Sequence, residues 1–240
     1  MTELLFLLLP LLFLGGIVST ISGGGLGILL FLILNTTYDV RTAIIINSLL
    51  GFVIQGAKFA HFFRHTRWNI AGWYLLTGIP ASVIGGLLFF LVPERMLEIA
   101  VGILCLIFSG KEIFRRSMRV SPRISTLLVA GFANGLIGGV IGNAAVMRLS
   151  ALLAFGLTKE QLIGTSSIIA LGLNAGKVSA YVQGFTWSVD IIALLLLSAP
   201  VILLSVAIGK RLLRYVSPML FERLLLCIIF LGGIRLIFFP

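Results

Sequence analysis

Ser22-Gly-Gly-Gly-Leu-Gly27 lies inside an unbroken apolar run, Leu4–Leu34, and its reading decides the fold. Clustered glycine weakens a helix and permits positive φ, so such a run can bend in mid-membrane instead of crossing. Broken backbone at that depth is tolerated only where it is buried in protein or lines a watery cavity. A second run, Ile124–Phe155, carries the same kind of interruption at Gly138-Gly-Val-Ile-Gly-Asn143. Six more apolar runs complete the chain: Thr42–Phe63, Ile70–Val92, Leu97–Phe114, Leu162–Val182, Ser188–Ile208 and Leu220–Phe239. A spanning helix needs about 20 mainly apolar residues, so each of these is a candidate. Over the 240 residues, 59% are hydrophobic and 11% charged, with a mean hydropathy of +1.16. A soluble domain carries about a quarter charged residues, so a water-soluble fold is excluded. The formal charge of +10 sits between the apolar runs, where it sets membrane orientation; no basic face for nucleic acid is implied.

Charge placement chooses between two topologies. If all eight runs cross, one side receives Arg64, Arg67, Lys111, Arg115, Arg116, Arg119, Arg123 and Arg235, and the other Arg41, Arg95, Lys159, Lys210, Arg211, Arg214 and Arg223. That balance orients nothing. If the two glycine-broken runs are re-entrant hairpins, only Arg41, Arg95 and Arg235 remain on the minority side. Such a lopsided split is what the positive-inside rule expects, with the polar stretch Arg115–Arg123 cytoplasmic and both termini outside. The opening Met1-Thr-Glu-Leu-Leu5 lacks a basic n-region and an A-x-A site, so a removable signal peptide is not expected. The expected architecture is an all-α polytopic membrane protein of two inverted repeats, each a glycine-broken hairpin plus three transmembrane helices. Residues 1–114 form the first repeat, 115–123 the basic linker and 124–240 the second repeat.

The halves match at a constant offset of 119 positions: Gly16 falls on Gly135, Gly23 on Gly142, Ser48 on Ser167, Lys58 on Lys177 and Trp68 on Trp187. Gln55 falls on Asn174. A lysine inside an apolar run, with an amide three residues before it and a tryptophan ten after, is a specific coincidence, and it supports a duplication.

The half-motif Gly16…Ser22-Gly-Gly-Gly-Leu-Gly27 with Asn47-Ser48 and Gln55-x-x-Lys58 resembles the sulfite exporter TauE/SafE family of membrane permeases. Gly164-Thr-Ser-Ser167 and Asn174-Ala-Gly-Lys177 fit that family's second half. The resemblance covers nearly the whole chain. It implies a multi-pass permease of the cell inner (plasma) membrane, exporting sulfite, sulfonates or related small sulfur-containing anions, without a cofactor. One departure is Gly142-Asn-Ala-Ala-Val-Met147, less glycine-rich than the family's second cluster, so the second tip differs in shape or substrate contact. A homodimer is compatible with this reading, and the sequence leaves the oligomeric state open.

Asn47, Gly51, Gln55 and Lys58 share one helix face by their spacing, and Ser166, Ala170, Asn174 and Lys177 repeat it. A polar stripe with a small residue at its middle suits a helix facing a cavity, where lysine and amide donors attract an anion. The alternative is that each lysine snorkels to the nearer interface. The tips Ser22, Gly23, Gly24, Gly25 and Asn143 can direct free N–H groups at an anion, or simply let helices pack closely. Arg148, unmatched in the first half, offers a fork of donors to an oxyanion; snorkelling or a bond to hairpin carbonyls is the competing use. His61 and His65 stand i, i+4 apart, but no carboxylate or cysteine completes a metal set, and an interfacial pair is the expected reading. Trp68 and Trp187 read as interface anchors.

All eight acids, Glu3, Asp39, Glu94, Glu98, Glu112, Glu160, Asp190 and Glu222, fall in loops or near run ends, which leaves a carboxylate proton relay without members. Ser22 is not framed as G-x-S-x-G and has no membrane histidine as a base, so an intramembrane serine protease fits poorly, and no enzyme is expected. A transporter of another anion, a passive channel and a non-transport scaffold stay open as rival functions.

Overall fold

The computed structural model describes residues 2–22, 26–113, 122–212 and 219–238, and among these all regular structure is helical. The helices are α1 (Thr2–Ser22), α2 (Leu26–Leu34), α3 (Val40–Phe62), α4 (Trp68–Phe89), α5 (Glu94–Ile113), α6 (Ile124–Ile141), α7 (Ala145–Leu153), α8 (Lys159–Tyr181), α9 (Val189–Leu212) and α10 (Met219–Phe238). Four segments are long and apolar enough to cross a membrane: Val40–His65, Trp68–Phe89, Ile124–Ile141 and Val189–Leu212. The chain is a polytopic membrane protein. The 23-residue α8 has the length but is more polar, and its Thr165, Ser166, Ser167, Asn174 and Lys177 are buried within protein.

The second glycine-interrupted run breaks where its glycines fall. α6 stops at Gly142, whose φ of +88° puts it in the left-handed region and turns its N–H back onto the Gly138 carbonyl. A side chain there would be strained and would press into Ile44, 2.7 Å from the Cβ position. Asn143 Oδ1 then accepts from the Ala145 N–H at 3.0 Å and starts α7. In the first run the interruption at 23–25 lies outside the described residues, between α1 and α2. The arms are unequal, 18 residues in α6 against 9 in α7. At about 1.5 Å per residue, α7 is less than half the thickness of a hydrocarbon core.

Glycine sets the close contacts. A Cβ on Gly131, Gly135 or Gly139 would come within 2.2, 2.3 or 2.7 Å of the carbonyl oxygens of Tyr74, Gly78 and Ser82, so α4 and α6 touch backbone to backbone. The residue numbers rise together, hence the two helices run parallel. α8 also packs on α4: a Cβ on Gly176 would lie 3.1 Å from the Ile79 carbonyl oxygen, and one on Gly86 3.0 Å from that of Lys177. α1 and α9 are likewise parallel, Gly16 facing Ser205 and Gly209 facing Ile17 and Thr20. α3 runs antiparallel to α8, with Gly51 near Asn174, Gly56 near Leu171 and Gly164 near Phe62.

The ends of the bundle are electrostatically distinct. Arg41 donates to the Phe90 and Val92 carbonyls beyond α4 and pairs with Glu94 at 3.4 Å. Arg95 donates to the Leu236 and Ile237 carbonyls at the end of α10. Each basic group complements a helix C-terminus. Arg235 stands at the same end, around a hollow shared with Asn35, Asp39, Glu94 and Glu98. At the other end Lys210 donates to the His61 carbonyl and sits 5.5 Å from the Phe62 ring centroid. The basic stretch 115–121 lies outside the described residues; Arg123 precedes the first turn of α6.

Candidate functional site

The second break meets the first glycine-rich run at Gly27. A Cβ on Gly27, in the first turn of α2, would lie 2.5 Å from Asn143 Nδ2 in that break. Around this meeting point is a cavity of ≈ 70 Å³, walled by α1, α2, α3, α4, α6, α7 and α8. A water needs about 10–15 Å³ of such space, so the cavity has room for a small ion with little to spare. Five amides reach it, Asn47, Gln55, Asn134, Asn143 and Asn174, together with the hydroxyls of Ser19, Ser48 and Ser82. Arg148 and Lys177 bring positive charge, and no aspartate or glutamate stands among the described lining residues. The N-terminal ends of α2 and α7, the positive ends of their dipoles, border it at Gly27 and Ala145.

The cations are buried. Lys58, Arg148 and Lys177 are 3%, 6% and 5% exposed, so none of the three snorkels to an interface. Lys58 Nζ donates to the Ser19 carbonyl at 2.9 Å and to Ser19 Oγ at 2.7 Å, and through Ser19 it backs the cavity wall. Lys177 Nζ donates to the Gly142 carbonyl, the turn residue between α6 and α7. Arg148 Nε donates to Ser166 Oγ at 2.9 Å, so the arginine is tied to α8 and not to the hairpin's carbonyls.

Of the residues singled out from sequence, Asn47, Gln55, Asn143, Arg148, Asn174 and Lys177 line one space. Ser166 orients Arg148, and Lys58 stands one residue behind the wall. Gly23, Gly24 and Gly25 fall outside the described residues, as does the Ser22 side chain. Sequence reasoning missed Ser19, Asn134 and two tyrosines. Asn134 lies in the fifth run and donates to the Tyr74 hydroxyl at 2.9 Å; a buried amide in an apolar run was the available signal. Tyr181 is matched by Phe62 at the repeat offset, and its hydroxyl donates to the Gly139 carbonyl.

His61 bonds the Ala57 carbonyl at 2.8 Å one turn back, and His65 is exposed. Trp68 is exposed and packs edge-on against Phe59 and Phe63, with ring centroids 5.9 and 6.0 Å away.

Residues 8–236 match the family model described as Sulfite exporter TauE/SafE. The chain belongs to that family. No curated protein and no solved structure gives a significant match. As a TauE/SafE member this is a membrane permease of a transporter family.

Proposed function

We propose that this TauE/SafE permease exports sulfite or a related small sulfur oxyanion across the cell inner membrane by alternating access. The observation that carries the reading is a central cavity with three buried cations about it and no carboxylate among the described residues that line it. Uncompensated charge in a low-dielectric interior is costly, and an anion bound there offsets it. The lining favours a compact, fully hydrophilic ligand: polar donors surround the space, and Ile54 and Leu173 are its largest apolar walls. An inside-negative potential, worth about 2.3 kcal/mol per charge per 100 mV, expels such an anion without a coupled cation.

The domain plan is two inverted repeats, residues 1–114 and 124–240, joined by the cytoplasmic linker 115–123, with both termini outside. Support comes from Arg41, Arg95 and Arg235 sharing one end of the bundle while Lys210 stands at the other. Helix directions support it too, since the α1–α3–α9 group runs opposite to the α4–α6–α8 group. This packing suggests that the moving bodies exchange one helix each. α4 of the first repeat travels with α6 and α8, and α9 of the second travels with α1 and α3. Buried apolar packing beyond the cavity, Phe62 with Ile163 toward one end and Phe89 with Tyr181 toward the other, favours a carrier over an open pore.

The test is efflux of labelled sulfite from proteoliposomes, with sulfonates and thiosulfate as competitors. Saturable efflux is expected, with loss of flux in the Lys58→Gln/Lys177→Gln double variant. Conductance without saturation makes the protein a channel, absence of any anion flux defeats the transport reading, and unchanged flux in the double variant removes the lysines from the site.

A further inference from the structure

We propose that Lys177 and Tyr181 are positioning residues that hold the second helix break in place, that Lys58 likewise holds the last turn of α1, and that Arg148 is left as the cation that meets the anion. The proposal rests on the anion-site reading above and assigns the division of labour within it. A helix C-terminus leaves carbonyls without partners and carries about half a unit of negative charge. Inside a membrane such groups must be satisfied internally, and beside an anion site they would repel the ligand. α6 ends at the cavity in this way, and the last turn of α1 brings Ser19 to it.

In the second break the Gly138 carbonyl takes the Gly142 N–H, the Gly139 carbonyl takes the Tyr181 hydroxyl, and the Gly142 carbonyl takes the Lys177 ammonium. Lys177 and Tyr181 are four residues apart on α8, so one helix face clamps the end of α6 with two donors one turn apart. Lys58 does the equivalent for α1, spending two donors on Ser19. Its neighbour at the position equivalent to Tyr181 is Phe62, which has no hydroxyl. Arg148 differs from both lysines. It binds a side-chain hydroxyl through Nε alone, and its two Nη groups bond to no described residue. A planar fork with four N–H donors that bond to no described residue is the geometry that matches an oxyanion.

The experiment uses full-length protein in liposomes, in a Cys105→Ala/Cys227→Ala background with Ala144→Cys as a reporter beside the second break. Maleimide labelling is measured without any anion, and sulfite efflux is measured separately. Lys177→Gln is expected to speed labelling at least fivefold and Tyr181→Phe about twofold, with Lys177→Arg restoring the slow rate. In efflux, Lys177→Gln should cut the maximal rate more than tenfold while moving KM less than Arg148→Gln does. Labelling unchanged by Lys177→Gln overturns the positioning role, and a KM shift as large as that of Arg148→Gln makes the lysine a ligand. If the parent protein carries no sulfite, the transport reading fails, and the labelling arm still decides whether Lys177 and Tyr181 hold the break.

Discussion

Arg148→Gln should move two measurements in opposite directions. The side chain is almost fully buried on α7, its bond among the described residues is to Ser166 Oγ, and it lies close enough to Lys58 and Lys177 for their charges to interact. At 4 Å and an effective dielectric of about 20, a guanidinium and a singly charged oxyanion attract by about 4 kcal/mol. Glutamine keeps an amide donor and the reach to Ser166, so a loss of about 2–4 kcal/mol is expected, or about 30- to 700-fold in Kd. For the empty protein the sign reverses. Taking an ion out of water costs several kcal/mol, and here no carboxylate among the described lining residues repays it. The variant should therefore melt at a higher temperature than the parent when no anion is present. The assay is thermal unfolding in detergent with and without sulfite. At a concentration of 100 times the parent's Kd, sulfite stabilises the parent by about 2.7 kcal/mol, and a 30-fold weaker variant by only about 0.9 kcal/mol. A variant stabilised by sulfite as much as the parent would refute the assignment of Arg148 to the anion, whatever its melting temperature alone.

Three further outcomes follow from the packing. Gly135→Ala places a Cβ 2.3 Å from the Gly78 carbonyl and should cost about 1–3 kcal/mol by forcing α4 and α6 apart, whereas Gly72→Ala meets nothing within 4 Å and should be neutral or stabilising; detergent melts of the pair check this. A disulfide between Gly56→Cys and Leu171→Cys, where the Gly56 Cβ position is 3.9 Å from Leu171 Cδ2, ties α3 to α8 and should arrest sulfite efflux until a reductant is added. Free efflux in the oxidised protein would mean the two helix groups do not move against each other there. Thr158→Ala removes the reciprocal cap in which Thr158 and Gln161 bond each other's backbone, and should lower stability by about 0.5–2 kcal/mol with little change in KM.

The helices and the second break were legible because each rests on a local cause. Apolar length fixes a span, and a glycine cluster fixes where it fails. Six of the proposed site residues also meet in one cavity because the stripe on α3 and the stripe on α8 were readable as helix faces. What the sequence could not supply is partnership across repeats. Nothing local in Gly78, Gly135 or Gly139 says that α4 lies on α6, since small residues pack equally well in many pairings. The roles of Lys58 and Lys177 were ambiguous for the same reason. A lysine two turns from a span end can reach the interface or an inner carbonyl, and only the positions of Ser19 and Gly142 decide. Tyr181 looked like any aromatic near a helix end, and the Gly139 carbonyl that it satisfies belongs to a different helix.

The second break also explains why Gly142-Asn-Ala-Ala145 does with so few glycines. The reversal makes three demands: one residue at positive φ, no side chain toward Ile44, and an acceptor for the free N–H groups at the start of the next helix. Gly142 meets the first two. Asn143 meets the third by accepting from the Ala145 N–H, and its amide nitrogen simultaneously faces Gly27 of α2. Once these are met, Ala144 and Ala145 need no conformational freedom; they need only be small enough to line the cavity, which both do. The departure from a glycine-rich cluster is therefore an exchange of backbone freedom for a capping amide. It also gives the second break a fixed polar group that the Gly23–Gly25 stretch cannot offer, since glycine has no side chain. On this argument the second break brings a fixed polar group to the cavity, and an Asn143→Gly substitution should loosen that break without abolishing it.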